Sequence, residues 1–218
     1  MNLNKMIDHT YLKAFGTKKE IDVLLEEAKK YHFKSVCINP YYVKYAKELL
    51  ENSDVLVCTV IGFPLGANTV ETKVFETLNA IQNGADEIDM VLNIGEVKSG
   101  NYDYILSEVN QVKKACSGKT LKVIIETCYL TEAEIILVSE TIAKSNANFI
   151  KTSTGFGPQG ATFENVKLMK SHVGNKEVKA AGGVKTREDV EKMIEAGATR
   201  IGTSNGVALV NNQTGSGY

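Results

Sequence analysis

The chain has 218 residues, a formal net charge of −1 and a sequence pI near 6.3, so there is no surplus of positive charge to recruit nucleic acid or an anionic membrane. No apolar run approaches the roughly 18 residues of a spanning helix, and the opening Met1-Asn2-Leu3-Asn4-Lys5 lacks the apolar core of a signal peptide. Four cysteines (Cys37, Cys58, Cys116, Cys128) show no C-x-x-C spacing and read as reduced thiols of a cytoplasmic protein.

In chain order, β-branched runs begin near Met6, Ser35, Val57, Glu87, Lys122, Asn148, Val178 and Arg200. Their mean spacing of about 28 residues suits one strand plus one crossover helix. Thr17 to Glu20 and Thr131 to Glu134 read as capping boxes, with Asn68, Thr162 and Thr186 as further caps. Gly84, Gly118, Gly174 and Gly197 each follow an amphipathic stretch and stop it. Ile21, Leu24, Leu25 and Ala28 form one apolar stripe for a sheet to cover. Tyr41, Tyr42 and Tyr45 fall at helical spacing and are expected to pack. Strict alternation leaves an open doubly wound sheet or a closed barrel, and eight units of this length suit the barrel better. The expected fold is α/β: a single-domain (β/α)₈ barrel over residues 1–210, with 211–218 a compositionally flexible tail.

Alternation along each strand assigns its faces. Ile88, Met90 and Leu92 suit a helix layer, which turns Asp89 and Val91 inward. Val123 and Ile125 face out, so Lys122 and Glu126 face in; Lys151 shares a face with Phe149 and Ser153, and Lys179 with Ala181. Cys37 is a further inward candidate. Three lysines and two carboxylates thus converge on one interior. A buried salt-bridge network is one reading, but such networks stabilise weakly, and an excess of lysine points to a reacting site. Lys151 and Lys179 lie on adjacent strands, about 4.8 Å apart. At that separation and an effective dielectric of about 20, a second ammonium repels the first by roughly 3–4 kcal/mol. That eases loss of a proton and favours imine formation with a carbonyl.

Two glycine-bearing loops follow the seventh and eighth strands: Ala181-Gly182-Gly183-Val184 and Gly202-Thr203-Ser204-Asn205-Gly206. Loops at these positions are where such barrels hold phosphate. His32 and His172 sit at helix ends. His9 alone could ligate a metal from a strand, so no metal site is expected.

The stretches Glu87 to Gly95, Phe149 to Gly155 and Val178 to Gly183 resemble the class I, metal-independent deoxyribose-phosphate aldolase family. So do Ile7-Asp8-His9-Thr10, Val36-Cys37-Ile38-Asn39-Pro40 and Val60-Ile61-Gly62-Phe63-Pro64-Leu65-Gly66-Ala67-Asn68-Thr69, and the likeness runs along essentially the whole chain. It implies reversible cleavage of 2-deoxy-D-ribose 5-phosphate to acetaldehyde and D-glyceraldehyde 3-phosphate, without a cofactor. Carried onto these motifs, Lys151 is the Schiff-base lysine, Lys179 the lysine that activates it, and Asp89 the proton-relay acid. Lys122 corresponds to an interior lysine paired at Asp89's position. Gly182, Gly183 and Ser204 match phosphate-loop positions, with Gly202 and Thr203 beside them. Asp8, Thr10, Cys37 and Thr154 would surround the substrate, and Tyr218 resembles a C-terminal tyrosine that assists proton transfer in part of the family.

Glu96-Val97 departs from an expected apolar pair but touches no proposed catalytic position. The expected partners are small sugar phosphates and aldehydes, with no nucleic acid and no membrane; a homodimer is allowed for. Cys37, an interior thiol near an aldehyde product, is a candidate site of inactivation. Two other functions fit the residues alone. One is a different Schiff-base barrel enzyme such as a transaldolase. The other is a phosphate-binding barrel without lyase chemistry, such as an isomerase or a sensor.

Overall fold

Each β-branched run buries both faces, one on helices and one on the opposing strands, which an all-parallel sheet requires. In the structure, a computed structural model that describes residues 2–215, these runs become β1 (Ile7–Tyr11), β2 (Ser35–Ile38), β3 (Leu56–Ile61), β4 (Glu87–Val91), β5 (Thr120–Ile124), β6 (Phe149–Lys151), β7 (Glu177–Ala181) and β8 (Arg200–Thr203). They close in sequence order into a parallel barrel, sealed by β8 against β1 with His9 opposite Thr203. Every strand begins within two residues of its expected start. The outer layer is α1 (Lys18–Tyr31), α2 (Val43–Leu49), α3 (Val70–Gln82), α4 (Ile94–Lys98), α5 (Tyr102–Ala115), α6 (Glu132–Lys144), α7 (Phe163–His172), α8 (Arg187–Glu195) and α9 (Gly206–Val210). Among the described residues no helix is long and apolar enough to cross a membrane.

Local chemistry accounts for the helix starts. Thr17 and Thr131 form reciprocal capping boxes with Glu20 and Glu134, and Thr162 and Thr186 cap α7 and α8. The cap of α3 is Thr69, whose hydroxyl accepts from the Thr72 amide, not Asn68; the helix begins one residue later so that Val70 is buried. Tyr42 and Tyr45 are anchored, donating to the Gly16 carbonyl and to Asp22. Tyr41 instead stands 87% exposed, because Pro40–Tyr42 is a 3₁₀ turn that breaks the expected helical spacing.

The barrel has two cores of unequal character. Ile88, Met90, Leu92, Val123, Ile125, Ile150, Val178 and Ala180 join the large one between strands and helices. Inside the barrel the apolar cluster is small: Leu12, Cys37, Cys58 and Val60, with Phe63 against it. Much of the remaining interior is charged.

Candidate active site

The inward positions on β4 to β7 bring Asp89 into register with Lys122, and Lys151 with Lys179. All four are buried, Lys151 at 3% being the least enclosed. Asp89 is the hub: Oδ2 accepts from Lys151 Nζ at 2.8 Å and Lys179 Nζ at 2.7 Å, and Oδ1 accepts from Lys122 Nζ at 2.8 Å. Burial alone would push the Asp89 carboxyl up, but Lys122, Lys151 and Lys179 hold it well below the ordinary carboxylate range. Burial likewise opposes the charge on Lys179, yet Asp8 and Asp89 beside it raise its pKa and keep it an ammonium.

Three interior charges come from positions not singled out as charge partners. Asp8, expected near the substrate, is an ion-pair member. Its Oδ2 accepts from Lys179 at 2.5 Å, and its Oδ1 from Ser35 at 2.7 Å and Arg200 at 2.8 Å. Glu87, at the start of β4, pairs with Lys122 at 2.6 Å and Arg200 at 2.9 Å. The ion-paired interior therefore holds Lys122, Lys151, Lys179 and Arg200 against Asp8, Glu87 and Asp89. Glu126 is buried and acts on Lys151 through space, but among the described residues it joins no ion pair. β5 ends at Ile124, Glu126 adopts a left-handed backbone with φ 49°, and its carboxylate accepts from the Thr154 amide and hydroxyl. The signal for Glu87 was available, since it shares Asp89's parity, as Arg200 shares that of Gly202. What alternation cannot supply is that barrel closure sets β4 across from β8.

At the C-terminal ends of the strands, Lys151, Thr154, Thr10, Gly182 and Gly202 to Ser204 line one narrow cleft, and Thr154 also borders a second lined by Pro64, Ile94 and Phe156. Gly182 and Gly183 both have φ 78°, a backbone that L side chains rarely adopt, and only Gly182 reaches the lining. Gly202 sits in close approach: a Cβ there would lie 3.0 Å from Lys179 Cε and 3.1 Å from Ala181 Cβ, tight enough that the Lys179 stem would have to give way. Thr10 donates its hydroxyl to the Asp8 carbonyl at 2.9 Å. Cys37 lies deeper, in register with Cys58. Cys58 donates to Asp89 Oδ1 at 3.2 Å and accepts from Lys122 at 3.3 Å. The Sγ atoms of Cys37 and Cys58 and an Asp89 oxygen lie within 4.8 Å of one another, but the ammonium groups on Asp89 repel a cation there. Tyr218 lies outside the described residues. Shielded amine, carboxylate and fixed cation together are equipped for carbonyl capture with proton transfer.

Comparison with known proteins agrees with this geometry. The chain is 59% identical over 211 residues to deoxyribose-phosphate aldolase 2 of Staphylococcus aureus strain N315, covering 96% of each chain. It is 57% identical over 206 residues to the deoxyribose-phosphate aldolase of Malacoplasma penetrans, covering 94% of this chain and 93% of that one. Among solved structures, the tetrameric deoxyribose phosphate aldolase of Aeropyrum pernix superposes with a TM-score of 0.89 at 32% identity, covering 96% of this chain and 89% of the other. The model of the DeoC/LacD family aldolases matches residues 3–213. With a lysine-lined parallel barrel and this match along nearly its whole length, the chain belongs to the DeoC/LacD aldolase family.

Proposed function

We propose that the protein is a class I aldolase that reversibly cleaves 2-deoxy-D-ribose 5-phosphate to acetaldehyde and D-glyceraldehyde 3-phosphate. The observation that carries this is the shared oxygen of Asp89. It holds Lys151, at the mouth, against Lys179, an ammonium kept charged from below. The like charge of Lys179 favours release of the Lys151 proton, and Asp89 is within hydrogen-bond reach to relay it.

Neutral Lys151 attacks the C1 carbonyl of the open-chain sugar. Proton transfer to the carbinolamine oxygen expels water and leaves an iminium, which serves as the electron sink. Removal of the C3 hydroxyl proton then lets the C2–C3 bond break, its electrons passing into the enamine while the C3 carbonyl forms. Glyceraldehyde 3-phosphate leaves, C2 of the enamine is protonated, and water hydrolyses the new iminium to acetaldehyde and free Lys151. Asp89 shuttles these protons with water. The charges on Lys122 and Lys179 keep it ionised between steps.

The phosphate is bound by the amides and hydroxyls of Gly182 and Gly202 to Ser204, a reading supported by their lining the same cleft as Lys151, Thr10 and Thr154, with Gly183 next to Gly182 in the same loop. Tyr218, a cytoplasmic location, a degradative role and a homodimer complete the proposal. The decisive assay is release of glyceraldehyde 3-phosphate from deoxyribose 5-phosphate, with chelator present. Wild type turns over and Lys151→Ala does not. Borohydride with acetaldehyde leaves an ethyl group on Lys151. Turnover by Lys151→Ala at the wild-type rate, or ethylation elsewhere, refutes the assignment.

A further inference from the structure

We propose that Arg200, at the floor of the barrel, is a positioning residue for the reaction: its fixed charge occupies carboxylate that would otherwise serve the lysines, and so makes Lys151 the interior amine that gives up its proton.

The proposal, which rests on the Schiff-base reading above, follows from a count of charges and contacts. Arg200 cannot be deprotonated in a protein. Its Nη1 reaches Asp8 Oδ1 at 2.8 Å and Glu87 Oε2 at 2.9 Å, and its Nη2 reaches Glu87 Oε1 at 3.3 Å. Lys179 holds Asp8 and Asp89. Lys122 holds Glu87 and Asp89, with Asp8 at 3.6 Å. Among the described residues Lys151 forms an ion pair with Asp89 alone. In this ion-paired network four cations thus share three carboxylates, and the amine with a single carboxylate partner is Lys151. Without Arg200, three lysines would share the same three carboxylates, and Lys151 would hold its proton more tightly.

Three further groups face the cluster without joining its ion pairs. Cys58 on β3 donates to Asp89, and burial pushes its thiol up, whereas the hydrogen bond with Cys58 and the charges of Lys179 and Lys151 lower Cys37 on β2. Glu126, beyond β5, acts on Lys151 through space, but its oxygens are taken by the Thr154 amide and hydroxyl and not by an ammonium, and burial pushes its carboxyl up.

Arg200 acts from a distance. With Glu87 it lines a recess of about 620 Å³ at the N-terminal ends of the strands, its guanidinium 5.2 Å from the centre of the Phe149 ring. Lys151 lines the mouth at the other end. A substrate on Lys151 therefore meets the effect of Arg200 only through Asp8, Lys179 and Lys122. By Coulomb's law any fixed charge at about 10 Å, at an effective dielectric of about 20, moves a proton equilibrium by about one pH unit, which sets the scale of the effect.

The test is the pH profile of kcat/KM, with borohydride trapping of acetaldehyde run in parallel. Arg200→Met shifts the acid limb up by about one pH unit, a roughly tenfold loss on that limb that disappears at high pH. Arg200→Lys leaves the limb in place. Glu87→Gln moves it down, and Arg200→Met with Glu87→Gln returns it to the wild-type position. A loss equal at every pH, or an unmoved limb, overturns the proposal. If Arg200→Met does not fold, Glu87→Gln decides: no downward shift overturns it. Failure of wild type to trap acetaldehyde on Lys151 sinks the Schiff-base reading itself. Trapping with unshifted variants sinks only the role of Arg200.

Discussion

Two regions of this molecule bury lysine completely, and they do so in opposite ways. Between α3 and α5, Lys73 Nζ donates to Glu108 at 2.6 Å and to the carbonyls of Gly66 at 2.7 Å and Val91 at 2.9 Å. Three acceptors meet three N–H groups, and the other Glu108 oxygen accepts from the Asn93 amide at 3.0 Å. That pair is closed: it ties the loops after β3 and β4 to the helix layer and has no opening to a ligand. Inside the barrel the network is open. Among the described ion pairs cations outnumber carboxylates, and Lys151 reaches the mouth with one carboxylate as its ion-pair partner. A closed buried pair holds structure in place, whereas an unbalanced one at a cleft leaves a proton to be moved.

The sharpest way to break this contrast is to neutralise each hub. Asp89→Asn removes the relay and leaves three ammoniums facing one another, so kcat is expected to fall by about 10²–10⁴-fold. Turnover near wild type would show that Asp89 does not relay protons. Lys73→Met strands Glu108 in an apolar layer and is expected to cost about 3–5 kcal/mol in denaturant unfolding, with kcat nearly retained. Lys73→Met combined with Glu108→Leu should recover most of that loss. A double variant as unstable as the single one would mean that the pair does more than satisfy itself.

The two regions also answer pH with opposite sign. Burial opposes the charge on Asp8 and Asp89, but the surrounding cations depress both pKa values below the unfolded value. Their stabilisation is therefore complete above about pH 4 and is lost as pH falls toward the folded pKa. Lys122 and Lys179 are raised above the unfolded value, so their contribution is complete below about pH 10 and declines as pH rises further. In the closed pair burial wins: Glu108 is raised and Lys73 lowered, so its contribution grows toward both extremes. Stability of the Lys73→Met, Glu108→Leu variant should consequently fall at least as steeply as wild type in acid and in alkali. A flatter profile would place the pH sensitivity in the wrong region. The smallest effect belongs to neither region. Thr131→Ala, at the capping box of α6, should cost about 1 kcal/mol without changing kcat or its pH dependence.

Much was legible in the residues. A period of two along each strand assigns the inner face, and that alone puts Asp89, Lys122, Lys151 and Lys179 inside. Threonine three residues ahead of glutamate marks the starts of α1 and α6 because the reciprocal hydrogen bonds are local. The strand positions and the closed barrel follow from eight repeated units. The charge balance was not legible. Alternation gives a face but no partner, and Glu87 and Arg200, 113 residues apart, meet only because closure folds β4 across from β8. Glu126 shows the converse: its parity pointed inward, yet a left-handed residue after β5 turned its carboxylate onto Thr154. Local periodicity by itself determined which residues enter the barrel. Which charges face each other there was decided by closure, because Coulomb energies depend on distances that no sequence spacing encodes.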